Sequence, residues 1–189
     1  MILRPQAVSD LDAVRAVVGA AFGEEGPGVV RLLDALDASD ATVVSLVAEE
    51  DDGQGELLGH VRLSRCWLDA RERLVDVLVL SPLSVHPDRQ GAGIGTALVA
   101  AALGAARACG APALFLEGSP DYYGARGFTR AADHGFVRPS VRIPEAAFQV
   151  AVLPAHEPWM TGALVYTDAF WATDSVGLRD PLLARLESG

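Results

Sequence analysis

The sequence contains no lysine. All 15 of its basic side chains are arginines, set against 25 acidic ones, for a formal net charge of −10. A chain this acidic lacks the basic stripe that neutralises a phosphate backbone, which excludes a nucleic-acid partner. A cationic small molecule suits the surface better, although acidity chiefly serves solubility. Cysteine is nearly absent. Cys66 and Cys109 are too few and too far apart for a disulfide framework or a zinc site, so a reducing cytoplasm and no metal are expected. The opening Met1-Ile2-Leu3-Arg4-Pro5 lacks the basic start and apolar core of a signal peptide. No apolar run reaches the roughly 20 residues of a membrane span; the longest, 94–106, is alanine-rich and reads as a buried helix, with no membrane partner. Repeats and low-complexity tracts are also missing.

What is present is a chain of 189 residues, half of them apolar, enough for one main domain. Residues 2–4 suit a short strand. Val14, Val17, Val18, Ala21 and Phe22 recur at helical spacing, and Leu32, Leu33 and Leu36 mark a second helix. Gly23-Glu24-Glu25-Gly26 between them reads as a flexible acidic connection. The runs 43–48 and 57–63, separated by the turn residues Asp51-Asp52-Gly53-Gln54-Gly55, predict a hairpin. Residues 74–85 form a longer strand. Pro82 inside it cannot donate to a ladder, which implies a bulge or a splay. A glycine-rich turn follows, then a helix to about Ala108 stopped by Gly110, and a strand at 113–116: a β-α-β unit. Ser119 and Pro120 open a short helix that ends at Gly127-Phe128. From about Asp133, further strands and loops complete the same sheet.

The turn Arg89-Gln90-Gly91-Ala92-Gly93-Ile94-Gly95 carries the chemistry. Glycines between a strand and a helix let backbone N–H groups approach an anion with no Cβ in the way. The helix dipole adds about half a positive charge, which suits a pyrophosphate, and Arg89 reinforces it. Exposed charges are screened over about 8 Å at physiological salt, so the acidic surface need not repel an anionic cofactor. Dinucleotide and P-loop motifs fail on spacing: a G-x-G-x-x-G frame begun at Gly91 ends on Thr96, and no Gly-Lys-Ser/Thr follows.

With Gln90-Gly91-Ala92-Gly93-Ile94-Gly95 preceded by Leu83-Ser84-Val85-His86-Pro87, and Tyr123-Gly124-Ala125-Arg126-Gly127-Phe128 downstream, the sequence resembles the GNAT superfamily. The wider context, Ser81-Pro82-Leu83 and Gly118-Ser119-Pro120-Asp121-Tyr122-Tyr123, is similar to its YhbS-like bacterial branch of N-acetyltransferases. The match is clear over 74–130. The resemblance implies an α/β (α+β) fold: a mixed, mostly antiparallel central sheet with helices on both faces and a splayed strand pair forming the CoA cleft. It implies a single domain over 1–189, with 131–189 completing the sheet and the acceptor side. Acetyl-CoA would be the co-substrate, held at its pyrophosphate by backbone amides of Gln90, Gly91, Ala92, Gly93, Gly95 and Thr96, and along its arm by Leu83 and Val85. The landmark Tyr123 would protonate the departing thiolate, with Tyr122 as understudy and Phe128 in the core.

The acceptor would be a small-molecule or peptide amine, acetylated directly in a ternary complex, because neither cysteine is placed as an acyl carrier: Cys109 ends a helix and Cys66 lies in an unsupported segment. An ammonium needs a base. Family members that carry a carboxylate in the strand before the turn place it near Val79, which is apolar here; Glu117 is therefore the leading base, ahead of His86 and Asp76. Acceptor choice falls to loops such as 23–28 and 64–73, with acidic Glu24, Glu25, Asp69 and Glu72. Trp159, Tyr166, Phe170 and Trp171 have three readings: a cover over the acceptor, a homodimer contact, or core packing. A non-catalytic acyl-CoA-binding or regulatory module is the alternative, favoured by the apolar Val79.

Overall fold

The computed structural model describes residues 1–51 and 55–187, and of Glu187 the backbone only. Part of the expected hairpin turn, 52–54, lies outside the described residues. In chain order the elements are β1 (Ile2–Pro5), α1 (Leu11–Phe22), α2 (Gly26–Ala38), β2 (Thr42–Glu49), β3 (Leu57–Ala70), β4 (Leu74–Val85), α3 (Ile94–Ala108) and β5 (Ala113–Glu117). There follow α4 (Pro120–Gly124), β6 (Thr129–Arg130), β7 (Phe136–Val137), β8 (Phe148–Val152), β9 (Gly162–Val165), α5 (Asp168–Ala172) and α6 (Leu182–Glu187). Two compact units divide the chain: Met1–Ser64 with Leu80–Cys109, and Arg65–Val79 with Gly110–Gly189. β3 and β4 contribute to both.

In the first unit β1 pairs antiparallel with β2, and β2 with β3 through registers such as Ser45↔Arg62 and Val47↔His60. The pleat sends alternate β3 residues to opposite faces. On one face α1 and α2 close a core of Val14, Val17, Val18, Leu33, Val47 and Leu57. Gly26 makes the helix pair possible, since a Cβ there would sit 2.3 Å from the Gly19 carbonyl oxygen. On the other face α3 lies against Gly59, where a Cβ would be 3.0 Å from Leu98 Cδ1 and 2.8 Å from the Ser84 carbonyl oxygen. Helices thus cover both faces, as the family resemblance implies.

The face toward α2 also buries polar groups. Arg62 is 1% exposed; it donates to Asp37 at 2.7 Å and to the Leu33 carbonyl at 3.1 Å. His60 is fully buried with its Nε2 2.9 Å from Ser45 Oγ, and burial lowers its pKa to about 3, so the ring is neutral.

In the second unit β5 pairs parallel with β4 at Leu78↔Leu114 and Val79↔Phe115, and antiparallel with β8, which also takes β6. β9 pairs antiparallel with β3 over Trp67↔Val165 to Ala70↔Gly162, and parallel with β7. The sheet is therefore mixed and mostly antiparallel. Phe115 anchors the core here, edge-on to Phe136 at 4.9 Å and stacked on Phe148 at 5.6 Å.

Two sequence expectations change. The acidic connection 23–26 is a 3-10 turn over Gly23–Glu25, not a flexible loop. The supposed loop at 64–73 is mostly strand, because β3 continues to Ala70; alternating burial of Cys66, Leu68 and Ala70 against exposed Arg65 and Asp69 is the half-buried strand pattern that short apolar spacing concealed. Cys66 accordingly sits in supported structure and is fully buried.

Candidate active site

The glycine turn belongs to the first unit. After β4, Pro87–Arg89 form a 3-10 turn capped by His86, whose Nδ1 accepts from Asp88 N at 3.4 Å. Gln90 then folds back, its Nε2 donating to the Val85 carbonyl at 3.3 Å. Gly91 and Gly93 have φ of +79° and +84°, and nothing lies within 4 Å of where a Cβ would stand on either. This is the backbone conformation that glycine adopts without strain, beside open space. Gly93 caps α3 and accepts from Ala97 N at 3.1 Å. Residues 91–93 and Thr96 are exposed, whereas Ile94 and Gly95 are buried as α3 begins. The first turn of a helix aims backbone N–H groups outward, so the residues present fit an anionic phosphate group. Arg89 is not a free contributor. Its guanidinium pairs with the Glu50 carboxylate. Leu83 and Val85 are half-buried in the second half of β4, on either side of buried Ser84.

Glu117 and Tyr123 belong to the second unit. Glu117 closes β5 half-buried, not as a solvated strand end. Its Oε1 accepts from the Tyr166 hydroxyl at 2.7 Å and its Oε2 from Gly177 N at 3.1 Å. Burial raises its pKa above the usual carboxylate value, opposed by those two donors and by the charge of Arg142. Tyr123 stands on α4, where its N–H donates to the Ser119 carbonyl at 3.0 Å and its own carbonyl accepts from Arg126 N and Phe128 N. Its ring meets Tyr122 at 4.9 Å and Phe128 at 5.8 Å, both edge-on. Burial pushes its pKa up to about 12. Phe128 is in the core at 1% exposure, as expected. The guanidinium of Arg126 lies 3.6 Å above the Tyr122 ring.

The lesser candidates separate. Asp76 is exposed on β4, and Glu24, Glu25, Asp69 and Glu72 all face solvent. Val79 is buried and paired with Phe115. Of the aromatic set, Tyr166 and Phe170 stack at 4.7 Å inside the fold, Trp159 carries the Arg73 guanidinium 4.5 Å above it, and Trp171 is 43% exposed. Both cysteines are unpaired, and burial raises the Cys66 thiol to about 12, which makes a poor nucleophile. Sequence reasoning missed the Tyr166 and Gly177 donors to Glu117. They lie 49 and 60 residues away, beyond any motif spacing.

The sequence profile of the acetyltransferase (GNAT) family matches residues 13–136. The N-acetyltransferase YjhQ of Escherichia coli strain K12, itself uncharacterised, is 31% identical over 166 residues, covering 85% of this chain and 88% of that one. A GNAT family acetyltransferase from Brucella melitensis, solved with acetyl-CoA, superposes with a TM-score of 0.71 at 31% identity, over 89% of this chain and 97% of that one. YhbS of Escherichia coli, solved with CoA, shares the fold at a TM-score of 0.77 and 24% identity, over 89% and 91%. With the glycine turn, the landmark tyrosine and the mixed sheet all in place, the chain belongs to the acetyltransferase (GNAT) family of acyltransferases.

Proposed function

We propose that the chain transfers the acetyl group of acetyl-CoA to a primary amine by direct attack within a ternary complex. The observation that carries this reading is the pair of left-handed glycines, Gly91 and Gly93, with open space where their side chains would be. The acetyl-CoA and CoA complexes of two relatives support the ligand. Backbone amides of Gln90, Gly91, Ala92, Gly93, Gly95 and Thr96 take the pyrophosphate, and the backbone at Leu83 and Val85 lines the pantetheine arm. Residues 131–189 complete the acceptor side of one acyltransferase domain. Two unpaired cysteines suit a reducing cytoplasm.

The proton inventory sets the residue roles. Near pH 7 an ammonium of pKa about 10.4 must give up a proton across some 3.4 units, about 4.6 kcal/mol. Glu117, weakened as an acid by burial, accepts that proton as the N–C bond forms. Tyr123 has a pKa of about 12 and keeps its proton at rest. Against a thiol near 8.5 a complete transfer from it is strongly uphill, so Tyr123 acts first as a hydrogen-bond donor to the sulfur as the C–S bond breaks. The thiolate shares the buried surroundings that raise Tyr123, and desolvation makes it more basic, which narrows the gap.

The test is thiol release from acetyl-CoA in the presence of alkylamines, polyamines, amino sugars and peptide N-termini, with the acetylated product identified by mass. Product formation that falls with Glu117→Gln and Tyr123→Phe supports the reading. Folded protein that binds acetyl-CoA yet acetylates nothing in the panel would replace it with the acyl-CoA-binding module.

A further inference from the structure

Glu117 is held by both of its oxygens from outside the segment that carries the family motifs. Tyr166 follows β9 directly, is 3% exposed, and donates from its hydroxyl to Oε1 at 2.7 Å. Stacking on Phe170 at 4.7 Å fixes the ring that aims that hydroxyl. Gly177 supplies the second donor, its N–H lying 3.1 Å from Oε2. That approach depends on glycine: φ is +64°, and a Cβ would lie 2.6 Å from the Arg142 carbonyl carbon and 2.7 Å from its oxygen. Leu178 N donating to the Arg142 carbonyl at 2.9 Å fastens the same segment. An ionised carboxylate has about four acceptor positions, so each oxygen keeps one for a substrate proton.

We propose that Tyr166 is a positioning residue for the Glu117 base: its hydroxyl, with the Gly177 amide, fixes the carboxylate's orientation and keeps it ionised where it is buried. This rests on the assignment of Glu117 as the base. Among the described residues, Arg142 and Cys66 are the charged or titratable groups that act on the pair. Arg142 favours the ionised carboxylate from the segment before β8. Cys66 faces Tyr166 from β3 and has a raised pKa of its own, so it stays a neutral thiol. On β8 the residue paired with Glu117 is Phe148, which is apolar. Hydrogen bonds donated to a carboxylate lower its pKa. Taking away the Tyr166 hydroxyl therefore moves the carboxylate's midpoint upward, and the base loses its active, ionised form at a higher pH than before.

The experiment follows the Glu117 carboxyl carbon by NMR titration of glutamate-labelled protein, assigned with Glu117→Gln, and needs no acceptor. Tyr166→Phe raises the midpoint by about one pH unit. The acid limb of kcat/KM on the fastest acceptor of the amine panel rises with it, which gives about a tenfold loss well below the midpoint and little loss on the plateau. Site-specific replacement of Tyr166 by 3,5-difluorotyrosine keeps the shape and strengthens the donor, so the midpoint falls; this variant decides the matter if Tyr166→Phe fails to fold. An unmoved midpoint in a folded variant overturns the proposal. A midpoint that moves while the acid limb stays put overturns the positioning role. Full activity in Glu117→Gln removes the base assignment itself, a separate failure.

Discussion

The ring of Tyr123 occupies the space that a side chain on Gly118 would need: a Cβ built there stands 2.3 Å from Tyr123 Cε2 and 2.8 Å from Cδ2. Gly118 follows Glu117 and is fixed by its own N–H to the Ala147 carbonyl and by Gln149 Nε2 donating to its carbonyl at 2.9 Å. The backbone cannot easily yield, so Gly118→Ala must displace the ring. We expect turnover to fall by about a hundredfold, the order lost with Tyr123→Phe, while acetyl-CoA affinity is retained. Combining the two changes should cost little more than either alone, because both remove the same hydroxyl from its place. Additive losses would contradict this.

The Arg62–Asp37 pair is unequal in burial, with side chains 1% and 35% exposed. Asp37→Ala strands a buried guanidinium and should destabilise the fold by about 3 kcal/mol. Arg62→Met leaves a carboxylate that water can reach and fills the space with apolar atoms, so its cost should be clearly smaller. Urea unfolding of both variants checks the order, and the reverse order refutes the account.

Asp10 accepts from both terminal nitrogens of Arg4 and from Ala7 N, and the Arg4 bond foremost lowers its pKa below 3.8. A carboxylate depressed in the folded state stabilises the fold above its unfolded pKa, and that contribution is lost as pH falls through the folded value. Wild type should therefore lose more stability than Asp10→Asn between pH 5 and the acid limit, shown by melting temperatures across that range. Parallel curves would exclude the linkage.

A chain without lysine offers no ε-amine to its own co-substrate. Incubation with labelled acetyl-CoA should leave internal tryptic peptides unlabelled, checked by peptide mass mapping, so that label transferred in the amine panel reports the added acceptor. Stable label on an internal peptide would reveal a covalent acyl-enzyme and contradict direct transfer.

The readable part of the molecule is the part where chemistry is local. Gly91 and Gly93 announce the turn because a left-handed backbone favours glycine, and Tyr123 lies within a few residues of Gly127-Phe128, on a short helix and the turn that follows it. The helical spacing of α1 and α2 is legible for the same reason, and α3 is legible as an apolar run closed by Gly110. β3 beyond Leu63 is not, since its exposed Arg65 and Asp69 break the apolar run while leaving the alternation intact. The surroundings of Glu117 were hidden altogether. Tyr166 reads as one aromatic among several until β9 pairs with β3 and its hydroxyl meets Oε1, and Gly177 reads as an ordinary turn glycine until its N–H is seen on Oε2. Arg89 shows the opposite error: its position suggests an anion contact, yet the carboxylate of Glu50, one residue past β2, takes it.

The central claim is that the turn at Gly91 and Gly93 holds acetyl-CoA, and the melting temperature with and without excess acetyl-CoA tests it most directly. Binding to the native state stabilises it by about 2.7 kcal/mol at a hundredfold excess over the dissociation constant. A clear rise that disappears in Gly93→Glu, which places a carboxylate in the open space of the cradle, is the predicted result. No rise at saturating acetyl-CoA in folded wild-type protein, or an equal rise in the variant, would contradict it.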